Sequence, residues 1–320
     1  MPGILTGMPY IPFDEHGLLL RRTAVNLGYD DVWLWRMVRC GALIRIRQGA
    51  YADPLVWLSL TRFQQHLLLS RAVMQQYDDR VALSHASAHL MRGGPNWGLN
   101  VGSVNITNLF GRGDRTQAGI THHHGVTRVG DVSRWEDHWI TSPARTAVET
   151  AAAADPDPAV CVLDWTLNEN LATREQLELY AAVHMREWPG SIGLPLAVSQ
   201  CDGRSESVGE ARTRLIFRAN GFDPEPQWHV YRASGRLAGR VDLLLRELGL
   251  MVEFDGQIKY GRLLKPGQTI KDVIKAERDR EIVLEELTGL RMFRVVWSDL
   301  NDPKHLIDRA MRAAAVRRAG

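Results

Sequence analysis

The chain has 320 residues, 45% of them hydrophobic and 24% charged. That is enough for two or three domains with separate cores, and no apolar run approaches the ~20 residues of a membrane-spanning helix, so no membrane partner is expected. Its 39 basic and 37 acidic residues leave a formal charge of only +2, so a nucleic-acid partner can be argued only from local patches. Cys40, Cys161 and Cys201 are odd in number and widely spaced, which speaks against a disulfide framework or a paired-thiolate zinc site and predicts buried free thiols. Met1 to Asp14 carries no basic segment followed by an apolar stretch, and a cytoplasmic location is expected.

In chain order, residues 21–27 and 30–39 predict two helices broken at Gly28, followed by a hairpin of 42–47 and 50–51 around Gln48-Gly49. Asp30 or Asp31 caps the second helix by accepting a backbone N–H, and Gly41 ends it. Val32, Trp35 or Arg36, and Arg39 recur at helical spacing, separating an apolar face from one that carries arginine. This order of elements looks like a winged helix-turn-helix over residues 1–58. It resembles the N-terminal domain of AbiEi-like antitoxins of type IV toxin–antitoxin systems, with "LIRIRQGAY" (Leu43 to Tyr51) matching the wing hairpin. Arg36, Arg39, Arg45 and Arg47 are then candidates for DNA contact, since phosphate binding comes mainly from Lys and Arg; a merely solvated basic face is the alternative.

Residues 59–198 predict an α/β middle domain. Helices are expected over 63–76, 82–90 and 142–154, and strands over 103–109 and 120–124. "TSPARTA" (Thr141 to Ala147) resembles a phrase in the middle of the same antitoxin-like proteins; Pro143 suits a first helical turn, with Ser142 as its cap. Asp155-Pro156-Asp157-Pro158 punctuates the chain. The run His122-His123-His124 has no partner acid or cysteine at a ligand spacing and predicts solvated histidines. Ser84-His85 and His89 are assigned to packing or capping, because neighbouring residues on a helix do not face each other.

Glycine, proline and serine collect between Trp188 and Gly203, and the pattern then changes. A helix over 207–220, strands over 227–231, 240–245 and 250–255, a helix over 271–287 and a strand over 291–297 give the order α-β-β-β-α-β in residues 199–320. The short connection Arg246 to Gly249 makes the second and third strands a hairpin. A register symmetric about Glu247 and Leu248 sets Asp242 opposite Glu253, with Cβ atoms ~4.5–5.5 Å apart. The period of two brings Asp255 to the same face, so three carboxylates are expected to converge. Such a group conflicts electrostatically unless a cation sits within it, and Mg²⁺ or Mn²⁺ suits all-oxygen ligands completed by water and phosphate.

"GRVDLLL" (Gly239 to Leu245), "VEFDGQIKY" (Val252 to Tyr260) and "ERDREIVLEELTGLRMFRV" (Glu277 to Val295) resemble the very-short-patch-repair-like branch of the PD-(D/E)XK, or restriction endonuclease-like, superfamily. The resemblance implies a metal-dependent endonuclease (hydrolase) domain with Asp242 and Glu253 as metal ligands and Glu210 as a further acidic residue of the site. The superfamily's Glu-X-Lys is Glu-X-Asp here: Asp255 stands at the lysine position, and Lys259 is the nearest substitute. Other assignments stay open. Ser207 to Glu210 also reads as a capping box, Asp255 before Gly256 suits a turn, and Lys259 and Tyr260 suit a solvated loop. Arg278, Arg280 and the tail arginines Arg309, Arg312, Arg317 and Arg318 add a weaker basic surface. The expectation is an α/β multi-domain, DNA-directed protein that cuts a phosphodiester bond with Mg²⁺ or Mn²⁺, in defence, repair or a toxin–antitoxin-like setting with a toxin-like protein partner. The alternative is a non-catalytic, antitoxin-like transcriptional regulator with a degenerate nuclease fold.

Overall fold

A computed structural model describes residues 10–110, 113–185, 188, 190–256 and 269–318. The protein is mixed α/β with three sheets among the described residues. It divides into two compact units, residues 1–150 and 151–320, where the sequence reading sets out three segments.

The first unit opens with β1 (Leu18–Leu20), α1 (Arg21–Asn26), α2 (Asp31–Arg39), β2 (Ile44–Arg47) and β3 (Ala50–Ala52). Asp30 is the cap of α2, accepting from Trp33 N at 2.7 Å. The hairpin β2–β3 is joined by β1 in a three-stranded antiparallel sheet of order β1-β3-β2. β1 leaves no mark in the sequence pattern, because three leucines in a row show no alternation; all three are buried. Leu19, Ala24, Leu34, Leu43 and Tyr51 form the small core beneath these elements.

Next come α3 (Pro54–Ser59) and α4 (Arg62–Tyr77), the latter opened by a reciprocal Thr61–Gln64 capping box, then β4 (Val81–Leu83) and α5 (His85–Met91). The helix expected over 82–90 is thus corrected. Val81, Ala82 and Leu83 are a buried strand in the interior of a six-stranded sheet, where an apolar run without alternation satisfies both faces. The sheet is completed by β5 (Val104–Asn108), β6 (Arg115–Gln117), β7 (Ile120–His123), β8 (Val132–Trp135) and β9 (His138–Thr141), in the order β6-β7-β5-β4-β9-β8. Its core includes Val73, Met74, Leu83, Ile106, Ile120 and Ile140.

From α6 (Pro143–Ala152) the chain enters the second unit with α7 (Pro156–Asn168), α8 (Arg174–Leu179), α9 (Leu194–Gln200) and α10 (Val208–Ala219). A buried ion pair ties α7 to α10: Arg214 Nη2 lies 2.7 Å from Asp164 Oδ2, with both side chains almost wholly excluded from solvent. Arg214 also donates to Gln200 O and Ser205 Oγ, and Asp164 accepts from Asp202 N at 2.6 Å, so neither charge is left bare. Burial still pushes the Asp164 carboxyl up to about 6, against the pull of Arg214.

The remaining elements are β10 (Glu225–Tyr231), β11 (Leu237–Leu245), β12 (Leu250–Asp255), α11 (Ile270–Thr288), β13 (Arg291–Val296) and α12 (Pro303–Arg318). Among the described residues the expected order α-β-β-β-α-β is the observed one. The sheet runs β10-β11-β12-β13, antiparallel except for the parallel pair β12/β13. One face packs Phe217 of α10 and Leu306 and Ala310 of α12 against Leu243, Val252, Phe254 and Val295. The other covers Val230, Val241, Met251 and Met292 with Leu284 of α11. No helix among the described residues is long and apolar enough to cross a membrane.

Candidate functional site

The β11–β12 ladder pairs Leu243 with Val252, Leu244 with Met251 and Leu245 with Leu250, the register expected from the symmetric turn. Continued by one residue, it sets Asp242 opposite Glu253. Here the backbone ladder gives way to a side chain: Asp242 Oδ2 accepts from Phe254 N at 2.8 Å. Half-buried Asp242 therefore sits at the end of the ladder, close enough to Glu253 to oppose its ionisation.

The β10–β11 register, Pro226 with Leu243 and Trp228 with Val241, leaves Gln227 opposite Asp242. Gln227 holds a left-handed backbone (φ 54°), an uncommon conformation for a residue other than glycine inside a strand. Its Nε2 donates to Glu210 Oε2 at 2.9 Å, while its Oε1 is buried and, among the described residues, accepts no hydrogen bond. The parallel pairing of β12 with β13 adds Arg294 beside Glu253. A row Gln227, Asp242, Glu253, Arg294 thus crosses the sheet, with Glu210 attached at its β10 end.

Glu210 is buried and serves the start of α10 as well. Its Oε1 accepts from Ser207 Oγ at 2.8 Å, its Oε2 from Glu206 N at 2.9 Å, and its own N–H donates to Ser207 Oγ. The capping role and attachment to the row coexist in one carboxylate. Gly209 makes this approach possible: a Cβ there would lie 2.0 Å from the Phe254 ring. Only hydrogen at that position lets α10 come so close to β12.

Glu253 is buried and turned toward α11, where Arg280 Nη2 bonds its Oε1; Arg294 Nη2 lies 4.0 Å from its Oε2. Glu277 and Glu281 of α11 share these arginines at 3.0 to 3.3 Å. Burial raises the pKa of Glu253, the charges of Glu277 and Asp242 raise it further, and Arg280 only partly offsets them. Asp255 is half-buried opposite Val296 at the end of β12. Among the described residues, no three His, Cys, Asp or Glu side chains gather into a group that could hold a metal ion. The expected convergence of Asp242, Glu253 and Asp255 is therefore not a ready-made cage, because Asp242 is committed to a backbone N–H and Glu253 to an arginine. Lys259 and Tyr260 lie outside the described residues.

In the first unit, Arg36, Arg39 and Arg45 are exposed, and among the described residues they have no ion-pair partner. Arg39 lies over the Trp35 ring at 4.9 Å, and Trp35 (57% exposed) and Val32 (52%) share the outward side of α2. The inward side is Leu34, flanked by Trp33, Met37 and Val38. Arg47 departs from this group: it is half-buried, and burial lowers its pKa.

Two more expectations are corrected. His122-His123-His124 is not a solvated run: His122 is buried on the sheet, His123 stacks on His85 with centroids 3.7 Å apart, and only His124 is exposed, paired with Asp114 at 2.8 Å. Strand alternation sends neighbouring histidines to different surroundings. Cys161 and Cys201 are buried as expected, but Cys40, at the C-terminal end of α2, is exposed.

His85 belongs to a buried polar network absent from the sequence reading. Its Nδ1 lies 3.0 Å from Ser84 Oγ and 3.6 Å from Glu149 Oε2; Glu149 accepts from Arg145 Nε at 2.7 Å, and Arg145 Nη1 donates to Asp131 Oδ2 at 3.0 Å. Burial holds His85 down to about 3 and His123 to about 4, so both stacked rings are neutral near pH 7. Neighbours on a helix do not face each other, but His85 stands at its first position with φ 50°, which brings it to Ser84. No protein-family model matches the chain, and no curated protein is detectably similar to it.

Proposed function

We propose that the chain is a DNA-directed protein whose last hundred residues form a restriction endonuclease-like domain of the very-short-patch-repair-like type, hydrolysing a phosphodiester bond with Mg²⁺ or Mn²⁺. The observation that carries this reading is the row in which Asp242 and Glu253 meet across β11 and β12. Burying Glu253 beside a half-buried Asp242 in a largely apolar hairpin is costly without a function. The donor set fits a hard divalent cation: Asp242 and Glu253 supply carboxylate oxygen, and Gln227 adds a buried amide oxygen that, among the described residues, meets no donor. A divalent ion held there lowers the pKa of a bound water and offsets charge on the phosphate. In this reading Asp242 and Glu253 would hold the ion, Glu210 and Gln227 would fix the β10 side of the row, and Arg280 and Arg294, which lie beside Glu253, would offset charge on the phosphate. Lys259 and Asp255 remain the candidates for orienting the attacking water. The N-terminal elements, read as an AbiEi-like winged helix, contact the duplex through Arg36, Arg39 and Arg45.

The test is cleavage of plasmid and of linear DNA and RNA with Mg²⁺ or Mn²⁺ by the full chain and by Asp242→Ala and Glu253→Ala. Loss of cleavage in both variants supports the site; cleavage that survives both overturns it.

A second reading is favoured by the Arg280–Glu253 bond together with Asp255 at the lysine position: a regulator in which the arginine permanently takes the place of the ion. It predicts salt-dependent DNA binding, no cleavage by the wild-type chain, and no Mn²⁺ binding while Arg280 is in place.

A further inference from the structure

The hairpin of β10 and β11 ends in a cationic, aromatic tip that the carboxylate row does not use. From Pro226 to Val241 the sequence carries no acidic residue, but it carries His229, Arg232, Arg236 and Arg240. Residues 231–237 are all exposed. Glu206 binds Arg240 at 2.7 and 2.9 Å, whereas Arg232 and Arg236, among the described residues, have no ion-pair partner. Val230 packs under Leu284 of α11, so strand alternation turns His229 and Tyr231 to the opposite face. Their ring planes lie within 21° of each other with centroids 6.2 Å apart, and Tyr231 is 59% exposed. The register sets Arg240 across from His229, and the exposed Leu237 across from Tyr231. Two uncovered rings and a leucine thus share a face bordered by two arginines that no acid balances.

We propose that this tip binds unpaired nucleotides of single-stranded DNA, with bases on Tyr231 and His229 and phosphates on Arg232 and Arg236. The inference rests on the DNA-directed reading above and adds to it a feature of the substrate. Each part of the surface answers one part of a nucleotide strand. A base stacks on an aromatic ring whatever its identity, and in a duplex its faces are already covered by neighbouring bases. Arginines without acid partners favour a polyanion over a neutral or purely apolar partner. β10 also carries Gln227 of the carboxylate row, so at about 3.3 Å per residue the first ring lies roughly 7 Å further along the strand. DNA lying across both would be unpaired beside the bond that the proposed site cuts.

Fluorescence anisotropy of the full chain across a salt series tests this with a labelled oligothymidine, its RNA counterpart, an abasic strand of the same length and a duplex. The expected result is binding of the oligothymidine that Tyr231→Ala weakens about fivefold or more, with Tyr231→Phe close to the wild type. Tyr231→Ala should leave the slope of log affinity against log salt unchanged, and on the abasic strand it should cost nothing. Arg232→Gln and Arg236→Gln should each lower that slope by about 0.7. Unchanged affinity in Tyr231→Ala, an equal loss on the abasic strand, or a slope unmoved by both arginine variants overturns the inference. Tighter binding of the RNA, or of a polyglutamate peptide, overturns the assignment of the partner as DNA. Duplex binding without single-strand binding sinks this inference and leaves the proposed nuclease standing; single-strand binding without metal-dependent cleavage does the reverse.

Discussion

Replacing Arg280 with glutamine tests whether the carboxylate row is a metal site held in reserve. Arg280 bonds Glu253, whose side chain is only 11% exposed, so in the proposed site a cation would compete with the arginine for that carboxylate. A hydrogen bond between charged groups is worth about 1.5–3 kcal/mol. The guanidinium is 34% exposed and shared with Glu277, so solvent screening reduces this to about 1–2 kcal/mol. Arg280→Gln should therefore tighten Mn²⁺ binding about five- to thirtyfold. The measurement is a Mn²⁺ titration by calorimetry at fixed pH, with Glu253→Gln as the variant that should not bind. Unchanged or weaker Mn²⁺ binding in Arg280→Gln refutes the competition argument. A wild-type protein that fails to bind beside a variant that binds well shows that the arginine locks the site.

Four further outcomes are expected. Because Glu253 has a raised pKa, Mn²⁺ binding should be present above that pKa and disappear as pH falls through it, at a higher pH than an ordinary glutamate would set; in the metal-free protein the same raised pKa makes stability fall as pH rises through it, and paired titrations and melts over a pH series check both signs. Gly209→Ala should destabilise the second unit by about 1–3 kcal/mol through overpacking on Phe254, read as a lower melting temperature, and a neutral result would refute the close approach of α10 to β12. Asp164→Ala strands the buried Arg214 charge and should cost about 3–5 kcal/mol in denaturant unfolding. Arg36→Ala and Arg39→Ala, if each removes one phosphate contact, should each lower the slope of log affinity against log salt by about 0.9 on duplex DNA; an unchanged slope removes α2 from the interface.

The second unit was the more legible in sequence. A turn of four residues between two apolar strands fixes a register from local spacing alone, and Asp242 stands opposite Glu253 for that reason. Gln227 was invisible, because its importance depends on pairing β10 with β11 and on a left-handed backbone that no sequence pattern marks. Arg280 looked like one more surface arginine on a charged helix; only the packing of α11 on the sheet turns it onto Glu253. In the first unit β4 was hidden by alanine and leucine, which also suit helices, and β6, β8 and β9 by their shortness. Arg47 was grouped with its exposed neighbours because the local irregularity between Arg45 and Arg47, which breaks simple alternation, leaves no trace in composition.

The parallel partnership of β12 and β13 has a temporal consequence. The meander β10-β11-β12 closes through short turns, but β13 reaches β12 only after α11 has been made, so the last strand pays the larger loop-closure entropy. During synthesis Glu253 is made before Arg280 and Arg294, the two arginines that face it in the folded sheet. A chain halted before residue 280 would present the acidic pair with neither guanidinium to balance it, leaving dissolved cations as its available counter-charge.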